Sequence, residues 1–220
     1  MEFSLLASVP EEARRTLLDN VRRRTFARRE VVVHEGDPAD SLHLVRAGRL
    51  AVQVSMPSGQ AAMLRLITPG DYFGEISLLE RTESRRSATI IALEPSETWS
   101  ISSSTFHTLR AQHPDIQQVV MTALAARVED LSQRLLEAMY EGLDRRVFRQ
   151  LVYLSEVYAE GTGDGPVTVP LTQETLAEFV GGTRPSVNAV LQRLQERGLI
   201  ELTRGRIVVR DRAALAARLR

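Results

Sequence analysis

The sequence contains no cysteine, and this absence excludes disulfides, thiolate zinc sites, cysteine-ligated iron–sulfur clusters and cysteine nucleophiles. Lysine is also absent, so all 28 basic side chains are arginine. No run of about 18 apolar residues occurs, and the N-terminus lacks the basic, apolar and small-residue zones of an export signal. From these absences we expect a cytoplasmic protein with no membrane partner.

The distribution of charge separates the two ends of the chain. The 220 residues are sufficient for two modest domains. Residues 145–220 contain 12 arginines and 8 acidic residues, a net charge of +4, whereas residues 1–144 contain 16 and 20, a net charge of −4. A basic C-terminal part favours an anionic partner on that side.

Residues 30–102 consist of short runs of β-branched and aliphatic residues separated by turn sequences such as Glu-Gly-Asp-Pro and Pro-Gly-Asp. Strands this short and evenly spaced predict a β-roll or jelly-roll. Residues 2–24 are predicted to form short helices in front of it, because Pro10 and two acidic residues make a good helix start. Helix is predicted again over residues 104–110.

A long helix is predicted over residues 115–142, about 40 Å in length. Its apolar residues step by four and three positions, as in a heptad repeat that pairs two parallel helices. They are Leu124, Val128, Leu131, Leu135, Ala138 and Gly142. The pattern predicts a homodimer, and the alternative is a helix packed inside its own chain.

The C-terminal part begins with an amphipathic helix from Asp144 and a Gly-rich loop at residues 161–166. Two short helices follow, at residues 172–180 and 184–197, separated only by Gly-Gly-Thr. This spacing is typical of a helix-turn-helix. The segment LIELTRGRIVV then predicts a β-hairpin, so the whole part is predicted to be a winged helix.

The second of these helices carries a buried stripe and a polar face. Thr183 can cap it, and Val187, Val190, Leu191 and Leu194 are predicted to be buried. An exposed N-terminal half with Arg, Ser and Asn suits the major groove, where Arg reads guanine and Asn reads adenine. The candidate DNA-binding residues on this helix are Arg184, Pro185, Ser186, Asn188, Ala189, Gln192 and Arg193. Thr172, Arg204 and Arg206 are candidates for phosphate contacts.

The segment GDYFGEISLLE at residues 70–80, followed by Arg-Arg-Ser-Ala-Thr at residues 85–89, resembles the phosphate-binding cassette of cyclic-nucleotide-binding domains. Nearly the whole chain resembles the catabolite activator protein and fumarate-nitrate regulator (CRP/FNR) superfamily of bacterial transcription factors, in its cyclic-AMP-receptor-like branch. The resemblance implies an α+β fold in three parts: a cyclic-nucleotide-binding β-roll (residues 1–112), a dimerisation helix (113–142) and a winged helix-turn-helix (143–220). It also implies a homodimer on a palindromic operator in double-stranded DNA, with RNA polymerase as a further partner.

A cyclic phosphodiester needs a guanidinium and backbone N–H groups around its single charge. Arg86 is the first candidate for the guanidinium and Arg85 the alternative, because the spacing from Glu75 is one residue longer than in the best-known family member. Glu75 is expected to accept from the ribose hydroxyl and to pair with Arg127. The remaining candidates form the cradle, the apolar walls and the contact to the base: Gly74, Ile76, Ser87, Ala88, Leu64, Val54 and Ser132.

Compared with that member, Ser132 lacks a neighbouring threonine, and Pro185 and Ala189 replace base-contacting residues, so its operator consensus does not transfer intact. The expected effector is cAMP, with another small anion or no effector as alternatives. The histidines at positions 34, 43, 107 and 113 have no ligand-type neighbours at short spacing, so we expect no metal, haem or iron–sulfur cluster. A cupin-type metalloenzyme is the alternative from another class, and the scatter of His34, Glu35 and His43 argues against it.

Overall fold

The structure is a computed structural model that describes residues 3–7, 9–56, 61–78, 84–113, 116–159 and 165–219, without the side chains of Ser77, Val119, Arg134 and Ala138. The chain forms two compact units. One consists of Met1–Gln60 and Leu64–Ser132, and the other of Ala61–Met63 and Gln133–Arg220. Antiparallel sheets and helices coexist along the chain, which confirms the predicted α+β class.

The strands that precede the long helix form the predicted β-roll. They are β1 (Arg22–Phe26), β2 (Val31–Val33), β3 (Ser41–Ala47), β4 (Leu50–Ser55), β5 (Ala61–Ile67), β6 (Tyr72–Phe73), β7 (Thr89–Ala92) and β8 (Ser96–Ser102). Two four-stranded sheets result, with strand orders β1-β8-β3-β6 and β2-β7-β4-β5. Apolar side chains of both sheets, including Val45, Leu50, Phe73 and Ile90, form one buried cluster.

The helices of this unit cover the other face of the first sheet. They are α1 (Glu11–Asp19), α2 (Ser103–Gln112) and the first half of α3 (Ile116–Tyr140), together with 3-10 helices at Ser4–Leu6 and Glu75–Leu78. Alternation along β3 points Leu42 and Leu44 to this side, where they join Phe106, Ile116 and Val120 in a second buried cluster. The start of α3 is therefore fixed to the β-roll.

The prediction of helix up to residue 24 was wrong at its end, because Arg22–Phe26 forms strand β1. This strand pairs antiparallel with β8 from Arg22 opposite Ser100 to Phe26 opposite Ser96. It lies at the edge of its sheet, where exposed arginines oppose pairing with another chain. Three consecutive arginines hide the alternation that would have identified a strand.

The second unit contains α4 (Leu143–Val157), β9 (Val167–Val169), α5 (Gln173–Val180), α6 (Arg184–Glu196), β10 (Ile200–Thr203), β11 (Arg206–Val209) and α7 (Arg212–Ala217). Its sheet has the order β10-β11-β9. The Thr172 hydroxyl caps α5 by accepting from the Thr175 amide at 3.1 Å, and Gly181 ends that helix at φ +62°. These elements are the predicted helix-turn-helix and its hairpin wing; β9 and α7 were not predicted.

The predicted loop at residues 161–166 lies mostly outside the described residues, which resume at Gly165. Across the ranges that the structure describes, no helix has both the length and the apolar content needed to cross a lipid bilayer.

Candidate functional site

A cavity opens between the two sheets of the β-roll, beside α3. The space between its walls, including the open mouth, is about 560 Å³. The lining residues are Val33, Ala39, Val52, Arg65, Ile67, Tyr72, Phe73, Gly74, Glu75, Ile76, Arg85, Arg86, Ser87, Ala88, Ile90 and Arg127. Four of these are arginines and one is a carboxylate, so the cavity favours an anion.

Gly74 brings the backbone of the cavity wall close to Ser41 and Arg86. Its φ is +85°, and a Cβ atom at this position would lie 2.5 Å from the Ser41 carbonyl oxygen and 2.6 Å from Arg86 Nη1. Only glycine fits both the backbone angle and the space. The 3-10 helix Glu75–Leu78 follows directly, where a short helix was predicted over residues 75–79; Leu79 lies outside the described residues.

The two candidate arginines occupy different environments. The side chain of Arg86 is 5% exposed and donates from Nη1 to the Ser41 carbonyl at 2.8 Å and from Nη2 to the Ser41 hydroxyl at 2.9 Å. Arg85 is exposed and donates to the Gly36 carbonyl at 2.8 Å. Arg86 is thus held within the cavity wall and Arg85 at its surface.

Backbone hydrogen bonds hold the arginine segment in place. The Arg86 amide donates to the Asp37 carbonyl at 2.8 Å, and the Ala39 amide donates to the Ser84 carbonyl at 2.7 Å. Pro38 and Arg85 form the antiparallel bridge between these two segments. The position of Arg86 is therefore set by the loop that leads into β3.

Burial lowers the pKa of Arg86, and the carboxylates of Asp40, Asp37 and Glu75 oppose that shift. Asp40 is the nearest, with Oδ1 3.4 Å from Arg86 Nη2, and its own side chain is 81% exposed. Within the described part of the chain, the buried Nε–H of Arg86 has no hydrogen-bond partner. Because Arg86 lines the cavity, an anion there would lie beside its buried positive charge and offset the cost of burying it.

Most of the predicted effector-binding residues line the same cavity. The structure brings together Gly74, Glu75, Ile76, Arg85, Arg86, Ser87, Ala88 and Arg127. Arg127 is paired with Asp130, with Nη1 and Oδ2 3.7 Å apart, rather than with Glu75 as predicted. The family resemblance placed Arg127 near the cavity but could not identify its carboxylate partner.

Three predicted residues do not belong to the lining: Val54, Leu64 and Ser132. Leu64 is 38% exposed, and its neighbour Arg65 lines the cavity instead, because successive side chains on β5 point to opposite faces. Ser132 is exposed, and its hydroxyl donates to the Val128 carbonyl at 2.8 Å within its own helix.

Sequence reasoning missed Arg65 and Tyr72. Arg65 Nη2 donates to the Tyr72 carbonyl at 2.9 Å, and the buried Arg65 Nε–H has no acceptor among the described residues. The Tyr72 hydroxyl donates to the Ala123 carbonyl at 3.5 Å, a contact that connects the cavity wall to α3. Tyr72 lies in the Gly-Asp-Tyr-Phe-Gly-Glu segment, but its strand has only two residues. A strand this short shows no alternation from which to predict the face of the sheet that Tyr72 occupies.

The long helix α3 exposes an apolar stripe that differs in part from the predicted seam. Leu124 is partly buried against the β-roll core. Gly142 lies beyond the end of α3, where it caps α4. The side chain of Ala138 is not among those that the structure describes. Val128 and Met139 are 64% and 63% exposed. The exposed positions at heptad steps are Met121, Ala125, Val128, Ser132, Leu135 and Met139, flanked by Leu131 and Leu136.

In the second unit, α6 presents the predicted polar face. Val187, Val190, Leu191 and Leu194 are buried, and the Thr183 hydroxyl caps the helix by accepting from the Ser186 amide at 3.3 Å. Of the predicted DNA-binding residues on this helix, Asn188 is half-buried and the others are exposed: Arg184, Pro185, Ser186, Ala189, Gln192 and Arg193. This exposed N-terminal half carries the donors and acceptors that major-groove contacts require.

The other predicted DNA contacts differ in their surroundings. Arg193 Nη2 lies 2.6 Å from Asp144 Oδ2 at the start of α4, so it is engaged within the protein. Arg204 is exposed in the hairpin turn, and Arg206 Nε donates to the Thr203 hydroxyl at 3.0 Å. The Thr172 hydroxyl is occupied as the cap of α5.

Comparisons with known proteins agree with this architecture. Residues 23–113 match a family model described as a cyclic nucleotide-binding domain, and residues 145–218 match a Crp-like helix-turn-helix domain. A CRP-like cAMP-activated global transcriptional regulator from Mycobacterium tuberculosis is 30% identical over 198 residues, which are 89% of this chain and 87% of that protein.

Two solved structures show the same fold. A CRP-family transcriptional regulator from Thermus thermophilus superposes with a TM-score of 0.75 at 26% identity, covering 89% of this chain and 96% of that one. The c-di-GMP-responsive global regulator CLP from Xanthomonas campestris superposes with a TM-score of 0.77 at 22% identity, covering 91% and 99%.

The fold and the site together define a DNA-binding transcription regulator with a cyclic-nucleotide-binding domain. The chain belongs to the CRP/FNR superfamily of bacterial transcription regulators. Members of this family regulate transcription rather than catalyse reactions, so the cupin-type enzyme is set aside.

Proposed function

We propose that this chain is a homodimeric, sequence-specific transcription regulator whose affinity for DNA is controlled by cAMP bound in the β-roll cavity. The observation that carries the effector proposal is Arg86, a buried guanidinium in the cavity wall whose Nε–H has no partner among the described residues. The relative from M. tuberculosis is described as cAMP-activated, which supports cAMP as the first nucleotide to test.

Within the cavity, the cyclic phosphate would accept from Arg86 and from backbone amides of the segment that begins at Gly74. Glu75 would accept from the ribose hydroxyl. Ser87 and Ala88 lie next to Arg86 along the chain and line the same cavity. A single negative charge met by a guanidinium and several N–H groups is a favourable arrangement.

Isothermal titration calorimetry with cAMP tests the effector. Arg86→Leu should abolish the binding heat, because the phosphate would lose its charged donor, whereas Arg85→Leu should weaken binding by less than about tenfold. The exposed Arg85 is the matched control. If Arg86→Leu binds cAMP as the wild type does and Arg85→Leu does not bind it, the phosphate contact belongs to Arg85.

The apolar stripe on α3 supports the dimer. Large apolar side chains at heptad steps are rarely left exposed on a monomer, and a second α3 helix would cover them. A two-fold dimer would place two α6 helices on half-sites about 34 Å apart in a palindromic operator. RNA polymerase is the partner expected at promoters.

Light scattering after size-exclusion chromatography tests the dimer with two charge insertions. Val128→Glu puts a carboxylate in the stripe and should give a monomer. Ala126→Glu alters an exposed alanine outside the stripe and should remain dimeric. Two dimeric variants, or a monomeric wild type at micromolar concentration, would refute the proposed interface.

A further inference from the structure

Arg86 is held by a chain of partly buried polar contacts to residues that do not line the cavity. Its Nη1 and Nη2 atoms both bond to Ser41, at 2.8 Å to the carbonyl oxygen and 2.9 Å to the hydroxyl. The Ser41 hydroxyl lies 3.2 Å from His43 Nε2, and His43 Nδ1 lies 3.0 Å from the Thr98 hydroxyl. The contacts therefore run from the guanidinium through β3 to β8.

His43 is itself fixed by packing. It is 3% exposed, and its ring stacks on Phe73 with centroids 4.6 Å apart and an interplanar angle of 11°. Phe73 lines the cavity and directly precedes Gly74. The same histidine therefore contacts the serine that holds Arg86 and the residue that directly precedes the cradle.

Ser41 and His43 do not line the nucleotide cavity. They line a separate polar cleft together with Asp40, Arg24 and Ser100. A ligand in the nucleotide cavity would touch Arg86 but neither of these residues. Any effect they have on binding must therefore pass through the guanidinium or the cradle.

We infer that Ser41 and His43 are positioning residues for the effector site: they fix the Nη1–Nη2 edge of Arg86 so that its remaining N–H donors face the cavity. This inference rests on the proposed role of Arg86 in binding the cyclic phosphate. A preorganised guanidinium loses less conformational entropy when it binds an anion. The Ser41 hydroxyl also donates to Asp40 Oδ1 at 2.9 Å, and Arg86 Nη2 lies 3.4 Å from the same oxygen. Without the hydroxyl, the guanidinium and this carboxylate lose the group that holds both.

Two serine variants and a control test this role by calorimetry with cAMP on the full chain. Ser41→Ala should weaken binding about tenfold, because a hydrogen bond to a charged group is lost. Ser41→Thr restores a hydroxyl and should bind within about threefold of the wild type. Ser100→Ala is the control: Ser100 is buried and lies opposite His43 on β8, but its hydroxyl bonds to the Arg22 carbonyl.

A double-mutant cycle separates positioning from general loss of structure. In an Arg86→Lys background, Ser41→Ala should have less than about a twofold further effect, since the fork that Ser41 holds is gone. Equal losses in both backgrounds, or a Ser41→Ala protein that binds like the wild type, would overturn the inference and leave the proposed effector intact.

If the wild-type protein does not bind cAMP, that result contradicts the proposed function but not the positioning of Arg86. A measurement without ligand then tests the positioning. Nitrogen-15 NMR of the arginine side chains reports rotation and proton exchange at the Arg86 guanidinium. Slow exchange in the wild type and in Ser100→Ala, with fast exchange in Ser41→Ala, supports positioning. The same exchange rate in all three proteins refutes it.

Discussion

Because His43 is buried, the stability of this protein should fall as the pH falls below the ordinary pKa of histidine. Burial lowers its pKa to about 3, and the positive charges of Arg86 and Arg24 add to that shift while Asp40 opposes it. An unfolded histidine titrates near pH 6.5. Between these two values the unfolded chain binds a proton that the folded chain does not.

This difference in proton uptake fixes the direction in which the free energy of unfolding changes with pH. Because the unfolded state binds more protons, the free energy of unfolding falls as pH falls below about 6.5, and it continues to fall until about pH 3. At about pH 5 the loss attributable to His43 is about 2 kcal/mol. His43 is almost fully buried, so solvent does little to reduce this effect.

Urea unfolding from about pH 7 to about pH 5 measures the effect, and His43→Gln removes the titrating group. The wild type should lose about 2 kcal/mol more over this range than the variant, whatever the absolute stability of each. His34→Gln, at an exposed histidine, measures the consequence of losing a histidine outside this network. Equal pH slopes in wild type and His43→Gln would refute the reasoning.

Three further substitutions test the cradle, the base-reading helix and an ion pair. Gly74→Ala should cost about 1–3 kcal/mol of stability from strain and contact and should also weaken cAMP binding. Gly36→Ala has the same φ of +85° with nothing within 4 Å, so calorimetry and urea unfolding of both variants separate the backbone strain from the contacts with Ser41 and Arg86. Arg184→Ala should cost about 1–3 kcal/mol of operator affinity and relax specificity at one base pair, and an equal loss on random DNA would contradict base reading. Asp144→Asn should release Arg193 and increase the magnitude of the log-affinity against log-salt slope by about one, whereas an unchanged slope would show that Arg193 does not reach a phosphate.

The sequence predicted the elements whose signals are local. Gly and Pro turns marked the β-roll, and the short turn between two apolar stripes marked α5 and α6, because these patterns depend on neighbours along the chain. The four buried residues of α6 followed from helical periodicity in the same way.

The features that depend on distant partners were missed. Strand β9 has three residues and exists through pairing with β11, and β1 depends on β8. The cavity contains Arg65 rather than Leu64 because the register of β5 decides which face each residue occupies. The same limit applies to α3, where packing of Leu124 on the β-roll shifts the exposed stripe toward Met121 and Met139.

An anion bound at Arg86 is proposed to control how a dimer binds DNA. Fluorescence anisotropy with a selected palindromic duplex, titrated with the full-length protein in the presence and absence of cAMP, tests this coupling most directly. We expect cAMP to tighten binding of the wild type to the palindrome by at least about fivefold, with no gain for Arg86→Leu or for a single half-site. Equal wild-type affinity with and without cAMP would contradict it.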